Sequence, residues 1–192
     1  MRPSKLSRKT NETDIEAELE IDGKGEYEVR SPIGFLTHML ETFAKFADIN
    51  LKMDIKGDLE VDQHHAVEDS GIVLGKAFRL ALGDKKGISR AGYFIFPMDE
   101  ALATVAADIG GRPYLQFDAK FKRRFCGDFD TDLLEDFFQA FAVSLEANIA
   151  VNAAGRSDHH KIEAVFKAFG KAMKMACSAE QNKDILSTKG SI

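Results

Sequence analysis

The sequence predicts an α+β fold in which a β-sheet plus two-helix unit occurs twice, with the two halves packed about a pseudo-twofold axis. Three observations lead there. Stretches such as TDIEAELEI and INLKMDI alternate apolar and polar residues with the period of a half-buried strand. Segments of helical period interleave with them in the order strands, helix, strand, helix, in both halves of the chain. DQHHAVED, beginning at Asp62, returns as DHHKIEAV from Asp158, with the histidine pair 95 residues later (159 − 64).

Ile15, Ala17, Leu19 and Ile21 share one face of the first strand, and DGKG leads into a second alternating run around Tyr27 and Val29, the pattern of a hairpin. Pro32 and Gly34 introduce FLTHMLETFAKFA, where Phe35, Met39, Phe43 and Phe46 recur at helical spacing, so a helix is predicted over 34–47. A strand follows through Ile49, Leu51, Met53 and Ile55, then a loop from Gly57 and a long helix over 63–82. In the second half, strands are predicted at 93–96 and 101–109, joined through GGRP to one at 114–121. A helix over 131–147, a strand over 148–153 and a helix over 158–177 complete the unit. The half-repeats are expected to span 1–88 and 89–180 within one compact domain, with 181–192 a tail that completes the site.

Gly75 and Gly170 fall at the same distance after the second histidine of each pair, and Gly57 and Gly155 precede the pairs with a three-residue difference. With that one gap, LTHMLETFA lies over LEDFFQAFA, which sets His38 over Asp136. On a helix, residues three and four apart share a face, so His65 and Glu68 are expected to grip one ion while His64 points about 100° away. His160 with Glu163, and His159, repeat the arrangement. Two facing motifs then build two sites, His38 and Asp136 each adding a ligand. Imidazole and carboxylate without thiolate suit a divalent first-row metal, Mn²⁺, Fe²⁺ or Zn²⁺, in a six-coordinate shell with positions open for substrate.

The 192 residues are 44% hydrophobic and 30% charged, an ordinary globular composition. A net charge of −5 argues against a nucleic-acid partner. No apolar run reaches the roughly 20 residues needed to cross a bilayer, and MRPSKLSRKT offers no secretory signal, so no membrane partner and a cytoplasmic location are expected. Cys126 and Cys177 are isolated and read as small hydrophobes.

RKTNETDI, IGFLTHML, GDLEVDQHHAVEDSGIVLGKA, GISRAG, PMDEALA, GGRPY, DHHKIEAVFKAF and STKG, in this order, resemble the imidazoleglycerol-phosphate dehydratase family, lyases of histidine biosynthesis, over nearly the whole chain. The resemblance implies two Mn²⁺ per active site and a 24-subunit homo-oligomer with sites at subunit contacts. It places one metal on His38, His65, Glu68 and His159, and the other on His64, His160, Glu163 and Asp136. The catalytic carboxylate falls on Glu12. Contacts to a phosphorylated imidazole substrate fall on Glu12, His38, Arg90, Arg112, His159, Lys167, Ser187, Thr188 and Lys189. The reaction implied is dehydration of D-erythro-imidazoleglycerol phosphate to imidazoleacetol phosphate. Asp136 stands where the family commonly has histidine, and Thr37, Phe46 and Ala150 are further departures. Two other readings are a catalytically altered metal-binding oligomer of the same fold and a dinuclear phosphate-ester hydrolase.

Overall fold

In the computed structural model, which describes residues 1–181 and 184–190, alternation becomes sheet in both halves. The first half runs β1 (Pro3–Lys9), β2 (Thr13–Glu20), β3 (Tyr27–Arg30), α1 (Gly34–Ala47), β4 (Asn50–Gly57) and α2 (His64–Leu82). The second runs β5 (Ala91–Met98), β6 (Ala101–Asp108), β7 (Tyr114–Ala119), a short β8 (Phe125–Cys126) and β9 (Phe129–Asp130), α3 (Leu133–Leu145), β10 (Asn148–Ala154) and α4 (Asp158–Cys177). Their sheets have the orders β1-β2-β4-β3 and β5-β6-β10-β7, the same topology twice. The β8–β9 hairpin is the second half's insertion.

One expectation is corrected, and one strand is added to those the sequence predicts. β2 and β3 do not form a hairpin: β2 pairs antiparallel with β1 and β4, and β3 lies parallel to β4. The turn between them carries the chain away from β2, and Asn50 Oδ1 accepts from the amides of Lys24 and Glu26 to hold it. The β3–α1–β4 crossover then returns the chain for parallel pairing. β1 was not foreseen because Ser4, Lys5, Ser7, Arg8 and Lys9 leave Leu6 as its only large apolar residue after Pro3. It is held at the edge by its ladder to β2 and by Ser4 Oγ donating to the carbonyl of Ala77.

Helices of one half pack on those of the other, α1 on α4 and α2 on α3. Between them lies a phenylalanine core of Phe43, Phe78, Phe137, Phe138, Phe141, Phe166 and Phe169, all fully buried. Phe43 of α1 stacks on Phe169 of α4 with ring centroids 4.6 Å apart. Truncating any of these rings to alanine costs about 3–5 kcal/mol. The cross-half packing also delivers each half's first helix to the histidine pair of the other.

The β8–β9 turn secures this delivery. Ile33 precedes α1 with no capping side chain, and Asp128 supplies the cap, its two carboxylate oxygens accepting from the amides of Gly34 and Phe35 at 2.6 and 2.9 Å. The helix that bears His38 is thus fixed from the second half.

Candidate metal and active site

His38 projects from the second turn of α1 toward the start of α4. Its Nε2 lies 3.9 Å from Glu163 Oε2, and His159 Nε2 lies 3.2 Å from the same oxygen. The three side chains offer ligand atoms that all fall within 4.8 Å of one another, the spacing of a shared ion. Glu163 is largely buried while both rings reach solvent. Burial pushes the Glu163 carboxyl up, but Lys167 Nζ at 2.9 Å and the nearby histidines outweigh it, leaving the group below its ordinary range and anionic. Lys167 is itself held over the rings of Phe46 and Phe96.

The pseudo-equivalent group is Asp136, His64 and Glu68. His64 Nε2 lies 3.3 Å from Glu68 Oε2, and its Nδ1 lies 3.7 Å from Asp136 Oδ2. The two carboxylates face opposite edges of one ring, so bringing all three onto one ion requires the His64 ring to rotate. All three side chains are close to half exposed and free to do so.

Within the single chain the nearest contacts differ from the pairing that the motif spacing and the resemblance imply. Glu68 lies beside His64, four residues earlier, and not beside His65. Likewise Glu163 lies beside His159 and His38, and not beside His64 and Asp136. Spacings of three and four are both neighbours on a helix, and acids outside the motif decide between them. Asp58 takes Nδ1 of His65 at 3.1 Å, and Glu100 takes Nδ1 of His160 at 2.9 Å, turning both second histidines away. The expectation that each pair points two ways holds, with near-perpendicular rings in both.

Glu12 Oε1 lies 3.7 Å from Nε2 of His65, and Glu12's carbonyl accepts from the amide of Asp58 at 3.0 Å. The Asp58 hydrogen bond and the neighbouring acids raise the His65 pKa against a smaller effect of burial. On the other half, Asp99, Glu100 and His160 form a second group with ligand atoms within 4.8 Å of one another. His160, with backbone amides, holds Glu100 down at about 2. Sequence reasoning missed Asp58, Asp99 and Glu100 as site neighbours. The repeat register carried the signal: Thr13 pairs with Gly57 as Ala101 stands beside Gly155, which makes Glu100 the counterpart of Glu12.

The model of the imidazoleglycerol-phosphate dehydratase family matches residues 31–173. The chain belongs to that family. It is 52% identical over 192 residues to imidazoleglycerol-phosphate dehydratase from Methanosarcina mazei, covering all of both chains. The enzyme from Koribacter versatilis is 50% identical over 193 residues, with 99% of each covered. Among solved structures it resembles the Staphylococcus aureus dehydratase, with a TM-score of 0.82, 35% identity and coverage of 92% of this chain and 99% of that one. The Pyrococcus furiosus dehydratase in complex with (S)-C348 gives a TM-score of 0.84 and 34% identity, covering 97% and 100%. The fold is therefore that of the imidazoleglycerol-phosphate dehydratases, and the chain is an enzyme of that family, a lyase acting as a dehydratase in histidine biosynthesis. No described helix is long and apolar enough to cross a membrane.

The remaining residues expected from the dehydratase family lie elsewhere. Arg90, with φ of 65°, precedes β5 and is paired with Asp108 at 2.6 Å. Its Nη1 donates to the carbonyl of Leu186, which brings Ser187, Thr188 and Lys189 to the same corner. The carbonyl of Arg112 accepts from Asn148 Nδ2 at that end of the sheet too. Asp99, Glu100 and His160 sit at the far end of the eight-residue β5, roughly 25 Å along an extended strand. Thr37 bonds back to the carbonyl of Ile33 and does not orient His38. Ala150 lines the outer face of the second sheet.

Proposed function

We propose that this chain is a Mn²⁺-dependent hydro-lyase of the cytoplasm that converts D-erythro-imidazoleglycerol phosphate to imidazoleacetol phosphate, working as a homo-oligomer of 24 subunits. The observation that carries the reading is the convergence of His38, His159 and Glu163 beside Lys167. This donor set of two imidazoles and a carboxylate, without thiolate, fits a hard to borderline divalent ion, with other first-row metals as competitors. His64, Glu68 and Asp136 would hold the second ion.

Each group offers three protein ligands, while His65 and His160 point away from both. We assign them as fourth ligands given to a partner subunit's sites, His65 to the His38 group and His160 to the Asp136 group. The separation of Arg90, Arg112 and 187–189 from His160 along β5 supports the same reading, since it sets this corner well away from the second histidine pair of the same chain. A neighbouring copy can bring its own corner there.

Divalent cations held by His38, His159 and Glu163 and by His64, Glu68 and Asp136 would lower the proton affinity of the substrate's imidazole and so favour loss of the neighbouring hydroxyl. Glu12, exposed beside His65, takes the proton from the adjacent carbon. Arg90, Arg112, Ser187, Thr188, Lys189 and Lys167 anchor the phosphate and glycerol arm, which fixes the reacting carbons.

The deciding experiment incubates metal-loaded protein with imidazoleglycerol phosphate and assays imidazoleacetol phosphate. Its formation, dependent on Mn²⁺, is expected. No product at any metal concentration overturns the reading: phosphate release then identifies a hydrolase, and retained metal and assembly without turnover identify a catalytically altered oligomer.

A further inference from the structure

We propose that Asp69 is a positioning residue that fixes Glu12, acting through Thr13 and Arg8. The inference rests on the assignment of Glu12 as the proton-abstracting base. Asp69, on α2, is buried, and its Oδ2 accepts from both the Thr13 hydroxyl and the Arg8 guanidinium. Arg8 Nη1 also reaches Thr13 Oγ1 at 3.3 Å. Thr13 is 3% exposed and follows Glu12 directly.

The backbone of Glu12 is held on its other sides. Thr10 Oγ1 accepts from the amides of Glu12 and Thr13 at 3.1 and 3.0 Å, and the Glu12 carbonyl accepts from Asp58. Asp58 in turn holds His65, the ring that Glu12 faces. The Asp69 bridge is the link that ties this turn to the helix carrying the histidine pair.

The second half provides an internal control. Arg8 pairs with Ile15 across β1–β2 as Phe96 pairs with Ala103 across β5–β6, and the same register sets Thr13 over Ala101. The common distance from the histidine pair sets Asp69 over Ala164. Where the first half sets a partly exposed arginine against a buried threonine and aspartate, the second packs phenylalanine and two alanines, Ala101 and Ala164, into the same topology. The fold does not need the polar bridge. A partly buried ion pair is commonly no more stabilising than an apolar replacement, so its presence on one side alone points to a task that only that side performs. That side carries Glu12, whereas Glu100 is occupied by His160.

The test compares Asp69→Ala, Asp69→Asn and Thr13→Val in the assembled, Mn²⁺-loaded enzyme, with kcat, KM, bound metal and far-UV circular dichroism measured for each. Asp69→Ala and Thr13→Val should lower kcat about ten- to hundredfold, the scale of a misplaced catalytic group, with KM within about twofold and metal content unchanged. Asp69→Asn, which keeps an acceptor for Thr13, should recover part of the loss. A kcat within about twofold of the parent for the folded variants overturns the proposal. Loss of metal in step with activity also overturns it, because the effect then passes through the adjacent Glu68. Should Asp69→Ala not fold, Thr13→Val decides on the same criteria. If Glu12→Gln keeps its turnover while these variants lose theirs, the base assignment fails and the bridge serves a different group.

Discussion

His38 and Asp136 occupy equivalent positions on the first helix of each half, His38 beside His159 and Glu163 of α4 and Asp136 beside His64 of α2. The symmetry of the backbone is therefore broken in the donor atoms. One group offers two nitrogens and one oxygen, already convergent; the other offers one nitrogen and two oxygens that must rearrange. Affinity along the first-row series rises more steeply on nitrogen donors, so Zn²⁺ should displace Mn²⁺ from the His38 group first. Titrating Mn²⁺-loaded protein with Zn²⁺ while following free Mn²⁺ by electron paramagnetic resonance should give two phases, their midpoints about tenfold apart. Asp136→His should merge them. A single phase in the parent protein counts against inequivalent sites.

Glu12→Gln should lower kcat about 10²- to 10⁴-fold, the range for loss of a general base, while bound metal stays at the parental level. Glu12 faces His65 at 3.7 Å and belongs to neither the His38–His159–Glu163 nor the His64–Glu68–Asp136 group, so its charge is not needed to hold an ion. Metal analysis alongside turnover checks this directly. Metal loss in the variant would refute its role as base.

The helices and most strands were legible because their apolar period matches the face they bury: the predicted spans over 34–47 and 158–177 are those of α1 and α4. β1 was not, since a polar edge strand is stabilised by its partners and not by its own pattern. The false hairpin between β2 and β3 shows the same limit, for DGKG signals a turn but not which strand the chain meets next. In the site, the repeat register placed His38 over Asp136 correctly. It did not reveal that within the chain Asp58, outside the motif, takes Nδ1 of His65 while Glu68 lies beside His64. The counterpart relation of Glu12 and Glu100 was available from the same register but needed the strand pairing to become visible.

His65→Ala and His160→Ala should each lower bound metal and shift the particle toward smaller species. Both rings point away from the His38–His159–Glu163 and His64–Glu68–Asp136 groups of their own chain, so the reading makes them donors to a partner subunit. Metal stoichiometry with light scattering tests both at once: removing either ring takes one nitrogen from one class of site, and the assembly loses a cross-link at every copy of that contact. Because Asp58 and Glu100 would be left facing empty space near the surface, the fold itself should be little affected. Unchanged stoichiometry in both variants would refute the shared-site arrangement.

Gly75→Ala should cost about 1–3 kcal/mol, seen as a lower melting temperature, with a correspondingly smaller effect on assay-level metal binding in the surviving folded fraction. A Cβ at Gly75 would stand 2.6 Å from the carbonyl oxygen of Phe141 and 2.8 Å from Cβ of Ser144. Both atoms belong to α3 and neither is the end of a flexible side chain, so α2 and α3 must move apart. That contact helps set how closely α2 and α3 pack, the helix pair that carries His64 and Asp136, and Gly170 plays the same part where α4 meets the backbone of Phe43 and Ala47 on α1. The two glycines sit at equivalent positions and each lets the first helix of one half, bearing Asp136 or His38, pack closely on the helix that carries the histidine pair of the other. Gly170→Ala, with its closest approach at 2.9 Å, should be the milder of the two. Equal and negligible shifts in melting temperature would show that the helices have room to separate without loss of packing.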